Sequence, residues 1–206
     1  MVANYKEIIG DIVKYAEKEN VPIMQREGIL FLTDYIARNN VKNILEIGTA
    51  IGFSAIMMAL VNEDIHVTTI EKDEQRYLEA LKNIKKMEME NQITPIFKDA
   101  LNVSLDDKYD LIFIDAAKSK NTELFQKFEL NLNDEGTIVT DNMNFHGLVD
   151  KNESEINSKN LRGLVRKVKE YHTFLDNNTK YITEFSNVGD GLAISKKREI
   201  LDKKVG

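Results

Sequence analysis

Five short apolar or β-branched runs alternate with helical patterns along this chain, and each closes on a glycine or an acidic residue. The runs cover 44–47, 65–70, 93–97, 109–114 and 136–140; they lead into Gly48, Glu71, Asp99, Asp115 and Asp141. Short, nearly continuous apolar runs suit strands buried on both faces. Strands that alternate with helices imply a parallel sheet with helices on both sides. Ligands in such folds sit at the C-terminal strand ends, near the switch in strand order. Five chemistry-bearing residues at five strand ends therefore say more together than any one motif.

The helical patterns fall at about 5–18, 25–38, 53–60, 73–88, 120–130 and 159–175, with Pro22 interrupting the first two. Pro95 assigns the 93–97 run to a sheet edge. Residues 143–158 lack periodicity and read as a loop. Two further strands, 180–187 and 191–196, flank Gly189-Asp190-Gly191, which reads as a hairpin turn. The expected architecture is an α/β, Rossmann-like sheet of seven mostly parallel strands with a C-terminal antiparallel hairpin.

At 206 residues the chain is expected to form a single domain with a sizeable core, preceded by a helical segment (1–40) and ending in a frayed tail (199–206). There is no apolar run of membrane-spanning length, and the N-terminus has no secretory h-region. The absence of cysteine excludes disulfides and thiolate metal sites, so a cytoplasmic location is expected. The net charge of −6 argues against bulk nucleic-acid binding. A local basic excess at Lys159, Arg162, Arg166, Lys167 and Lys169 reads, on composition, as a solvated helix face.

Gly48 and Gly52 bracket a loop between a strand and a helix, an arrangement that offers backbone N–H groups to a ligand. The spacing is G-x-x-x-G, not the G-x-G-x-x-G of dinucleotide folds, and by itself it equally describes a structural turn. Glu71 lies 19 residues beyond Gly52, where a carboxylate can bond ribose hydroxyls. The other reading is a helix-start carboxylate; the glycine loop at the right distance favours ribose. Asp115, Asp141 and Asn142 are hard oxygen donors that select Mg²⁺, Mn²⁺ or Ca²⁺ over Zn²⁺. The alternative gives Asp141-Asn142 a turn role and Asp115 a helix cap. Lys118 follows Asp115 by three residues and is either a proton acceptor beside a cation or a solvated lysine. His146, in the loop beyond, is a candidate substrate contact. No histidine triad, G-x-S-x-G or P-loop is present.

Leu45-Glu46-Ile47-Gly48-Thr49-Ala50-Ile51-Gly52-Phe53-Ser54 resembles the S-adenosyl-L-methionine motif of class I methyltransferases. Ile112-Phe113-Ile114-Asp115-Ala116-Ala117-Lys118 and Thr140-Asp141-Asn142 resemble the metal and base motifs of catechol and caffeoyl-CoA O-methyltransferases. A narrower resemblance is to bacterial tRNA 5-hydroxyuridine methyltransferases, through Val21-Pro22-Ile23-Met24, Phe145-His146-Gly147-Leu148-Val149 and Gly189 to Lys197. The segment before Val21 is shorter than is usual in that family. The resemblance implies methyl-donor binding by Met24, Gly48, Ser54, Glu71, Asp99, Ala100 and Asp115. It implies Mg²⁺ binding by Asp115, Asp141 and Asn142, with Lys118 as catalytic base alongside Asp115. The implied acceptor is 5-hydroxyuridine at a tRNA wobble position, the implied assembly a homodimer. A small catechol-type acceptor is the alternative; a non-catalytic nucleotide-binding module is a remoter one. The glycine spacing speaks against an NAD-dependent oxidoreductase.

Overall fold

A computed structural model of the chain describes residues 4–145, 147–149 and 151–198. His146 and the tail 199–206 lie outside the described residues. Two helices lead, α1 (Tyr5–Glu19) and α2 (Arg26–Arg38). Then follow β1 (Asn43–Ile47), α3 (Phe53–Ala59), β2 (His66–Glu71), α4 (Glu74–Lys86), β3 (Ile93–Phe97) and β4 (Tyr109–Ile114). The chain continues through α5 (Asn121–Phe128), β5 (Leu132–Asp141), α6 (Lys159–Asp176), β6 (Tyr181–Ser186) and β7 (Leu192–Lys197).

The strands form one sheet in the order β3-β2-β1-β4-β5-β7-β6. The pairs from β3 through β5 are parallel, whereas β7 is antiparallel to both β5 and β6. β3 is an edge strand, so the N–H missing from Pro95 leaves no interior ladder bond unmade. The expected seven-stranded, mostly parallel sheet with its terminal hairpin is what the chain forms.

Alternation along each central strand feeds two cores. Ile44, Val67, Leu111, Phe113 and Val139 pack with α1, α2, α3 and α4 on one face. Leu45, Ile47, Ile70, Ile112, Ile114 and Ile138 pack with α5 and α6 on the other. Burial on both faces explains why these strands carry unbroken apolar runs.

β5 begins at Leu132, four residues before the pattern's expected start at 136. The polar stretch Asn133–Glu135 looks like a turn in the sequence. It is held extended by Asn133 Nδ2 donating to Asp110 Oδ1 at 2.6 Å, beside an irregularity in the β4–β5 register. Among the described residues no helix is long and apolar enough to cross a membrane.

Candidate functional site

The strand order switches between β1 and β4, and their C-terminal ends carry Gly48 and Asp115. The Asp115 N–H donates to Ile47 O, and the Gly48 N–H donates to Ile70 O, each at 3.0 Å. Gly48 sits at φ +107°, and a Cβ there would lie 2.1 Å from the Asp115 carbonyl oxygen. Only glycine lets the two strand ends approach this closely. A cavity of about 650 Å³ opens above them, within the range of small-molecule sites.

The ends of all five parallel strands contribute to its wall. Gly48 and Ala50 follow β1, Glu71 ends β2, and Asp99 and Ala100 follow β3; Asp115 and Lys118 follow β4. Asp141 and Asn142 lie at the end of β5, Asp190 in the β6–β7 turn, and Met24 in the segment before α2. Of the residues picked out in the sequence, Ser54 is not part of the lining. It is buried, and its hydroxyl donates to Glu46 Oε1.

Glu71 holds the glycine loop. Its Oε2 accepts the Ala50 N–H at 2.8 Å, and its Oε1 accepts the Lys72 and Asp73 N–H groups at 2.9 and 2.8 Å. A carboxylate offers about four acceptor sites, so one remains for a ligand hydroxyl. The α4 cap itself is Asp73, which accepts the Arg76 N–H.

β4 and β5 are neighbours, with Ile114 opposite Thr140, so Asp115 and Asp141 emerge side by side. Asp115 does not cap the following turn. Its Oδ1 accepts from Asn142 Nδ2 at 2.9 Å and lies 4.0 Å from Lys118 Nζ. Asp141 Oδ1 accepts the Asn142 N–H at 2.6 Å, so it keeps a local turn contact as well. Burial raises both carboxyls, Asp141 to about 7, and the Asp115 charge adds to the rise at Asp141. The Lys118 side chain is 20% exposed, unlike a freely solvated lysine.

Two adjacent carboxylates, Asp141 buried and Asp115 half-buried, the Asp115 charge raising Asp141, form with the neighbouring amide a hard-oxygen donor set whose charge a divalent cation would relieve. The residues therefore fit such an ion. The Asn142 amide presents its nitrogen to Asp115 here, so oxygen ligation requires the opposite amide orientation.

Sequence reasoning missed three contributors. Glu46 is fully buried in β1 and accepts from Ser54 and Thr69. Thr49 in the glycine loop then donates to Thr69 Oγ1 at 2.6 Å, which ties the loop to the acid. Burial raises the Glu46 carboxyl to about 7. The available signal was a charge inside an otherwise apolar strand. Phe145 and Asp190 also line the cavity; both sit in turns, where periodicity carries no information. The basic run in α6 is largely engaged nearby: Arg166 and Lys167 face Glu170, and Arg162 donates to Ile156 O.

A family profile described as O-methyltransferase matches residues 1–198. A Populus kitakamiensis caffeoyl-CoA O-methyltransferase is 27% identical over 89% of this chain and 81% of its own length. A Niastella koreensis catechol O-methyltransferase is 37% identical over 55% of each chain. A Staphylococcus aureus structure, provisionally named a caffeoyl-CoA O-methyltransferase, superposes with a TM-score of 0.88 at 41% identity, covering 92% of both chains. The S-adenosylhomocysteine-bound Bacillus cereus O-methyltransferase shares the fold, with a TM-score of 0.79 at 21% identity over 93% of this chain and 91% of its own. With a profile match over nearly its whole length, the chain belongs to the O-methyltransferase family, of the caffeoyl-CoA and catechol type.

Proposed function

We propose that this chain transfers a methyl group from S-adenosyl-L-methionine to one of two adjacent oxygens of a small aromatic acceptor, with a divalent cation, Mg²⁺ by preference, at Asp115, Asp141 and Asn142. One observation carries the reading: a glycine loop, a buried and a half-buried carboxylate at adjacent strand ends and a largely covered lysine all face a single cavity. The similarity to caffeoyl-CoA and catechol O-methyltransferases supports a small acceptor with vicinal oxygens.

The bound donor supplies an electrophilic methyl, and the bound cation supplies charge that favours an ionised acceptor oxygen. The chain's own residues do the rest. The Gly48 loop leaves the strand ends open for close approach, and Glu71 keeps one acceptor site free for a ribose hydroxyl. Met24, Asp99 and Ala100 complete the donor side of the wall, while Phe145 and Leu124 limit water on the other side. Lys118 takes the proton from the acceptor hydroxyl. Holding the two reactants in near-attack geometry supplies much of the acceleration.

A second reading makes the acceptor 5-hydroxyuridine in tRNA, whose 5-hydroxyl and 4-carbonyl are also vicinal oxygens. The exposed Lys72, Lys98 and Lys120 at the cavity wall favour it, since they suit a phosphate backbone. The experiment supplies enzyme, labelled donor and Mg²⁺ with a catechol, a caffeoyl thioester or 5-hydroxyuridine-containing tRNA. Label in the small acceptors alone supports the first reading and excludes tRNA. Label in tRNA alone reverses that order, and label in none of them removes both.

A further inference from the structure

Asp190 lies in the β6–β7 turn, where a hairpin requires only the flanking glycines. Gly189 and Gly191, at φ +60° and +82°, supply the turn geometry. Asp190 is nevertheless 6% exposed and lines the same cavity as Asp115, Asp141 and Lys118. A third carboxylate at this wall adds negative charge on the side from which Asp115 and Asp141 would meet a cation.

The turn that carries it is fixed on two sides. Toward the segment after β5, the Asn144 N–H donates to Asp190 O at 2.8 Å, and the Met143 N–H donates to Gly191 O at 3.0 Å. Toward α2, a Cβ at Gly189 would lie 3.3 Å from the backbone of Gly28, so turn and helix start are in contact. The backbone that carries the carboxylate is thus fixed, as a positioning group requires.

We propose that Asp190 is a positioning residue of the cation site, acting from outside the Asp115–Asp141–Asn142 ligand ring and raising its affinity for a divalent cation. Direct ligation is disfavoured: among the described residues no three acidic or imidazole side chains converge closely enough to hold an ion. Action through charge and intervening solvent remains, the usual mode of carboxylates just beyond a ligand ring. The sheet brings Asp190 to the ligands: Leu192 pairs with Asp141 across β5 and β7, and the turn binds the segment that follows Asn142. This inference rests on the cation site proposed above and adds a residue that turn chemistry had seemed to explain fully.

The test titrates metal-free protein with Mn²⁺, without donor or acceptor, and follows free Mn²⁺ by electron paramagnetic resonance. Wild type, Asp190→Asn, Asp190→Ala and Asp141→Asn are compared, with apo melting temperature and S-adenosyl-L-methionine binding as controls. Both Asp190 variants should bind Mn²⁺ about tenfold more weakly. Their donor affinity should be unchanged. If wild type binds Mn²⁺, Asp141→Asn does not, and the Asp190 variants match wild type within twofold, the role of Asp190 is overturned and the cation site stands. If the Asp190 variants melt lower yet bind Mn²⁺ normally, the residue is purely structural and the proposal falls. If wild type binds no Mn²⁺, both readings fall together.

Discussion

Glu46 accepts two hydroxyl hydrogen bonds at a site with no solvent contact, and the glycine loop hangs from one of them through Thr49 and Thr69. Its carboxyl is raised from 4.5 to about 7, chiefly by burial, with Ser54 and Thr69 opposing. The folded state therefore keeps this proton between pH 4.5 and 7, whereas the unfolded chain releases it. The unfolded state binds fewer protons in that window, so this group's contribution to stability falls as pH rises through it and levels off above about 7. Glu46→Gln cannot ionise. Urea denaturation across this window should give a flatter pH profile for the variant, with a difference of at most about 3 kcal/mol accumulating by neutral pH. Identical slopes in the two proteins would mean that Glu46 is ionised throughout. The acid was visible as a residue but not as a participant, because its partners come from β2 and α3. Gly48, Glu71, Asp115 and Asp141 were legible because each sits at the end of its own apolar run, a purely local pattern. The place of Asp190 in the cavity wall is set by tertiary contact and leaves no mark in sequence spacing.

At the scale of elements, the alternation of buried strands and amphipathic helices was readable almost throughout, since two-sided burial imposes continuous apolar runs. The start of β5 was not, because Asn133–Glu135 are held extended by contacts with β4 rather than by their own preference. Nor could the packing of α6 be read from its charges. Its inner face carries Val165, Val168, Tyr171 and Leu175, and Tyr171 reaches the sheet. The Tyr171 hydroxyl and Thr140 Oγ1 are 2.9 Å apart, both residues are fully buried, and Thr140 immediately precedes Asp141. Tyr171→Phe keeps the ring packing against Phe125 and Phe174 but leaves the Thr140 hydroxyl without this partner. The variant should lose about 1–3 kcal/mol, read as a lower urea midpoint at unchanged m. Because only the support of β5 is touched, donor affinity should stay at the wild-type value. An unchanged midpoint would mean that the tyrosine contributes through its ring alone.

The proposed reaction divides the cavity between a donor half, at β1, β2 and β3, and an acceptor half, at β4, β5 and the β6–β7 turn. The division follows from the switch in strand order, which sends neighbouring strands away on either side of the β1–β4 pair. Acceptor identity was the least legible property, because the wall on that side includes Phe145 and Asp190, in segments without periodicity. Lys118 belongs to the acceptor half, so its loss should separate the two functions. Lys118→Ala should lower kcat by about a hundredfold or more while leaving donor affinity within twofold of wild type. The acceptor hydroxyl must then ionise unaided, and the residual rate should climb with pH where the wild-type rate is flat. Lys118→Arg distinguishes chemistry from charge. Arginine can face Asp115 as a cation, but it does not release its proton in a protein. If the lysine is the base, the arginine variant is as slow as the alanine variant and shows the same pH climb. If Lys118 served only to offset the charge of Asp115, arginine would restore most of the rate and the base would have to be sought elsewhere in the cavity.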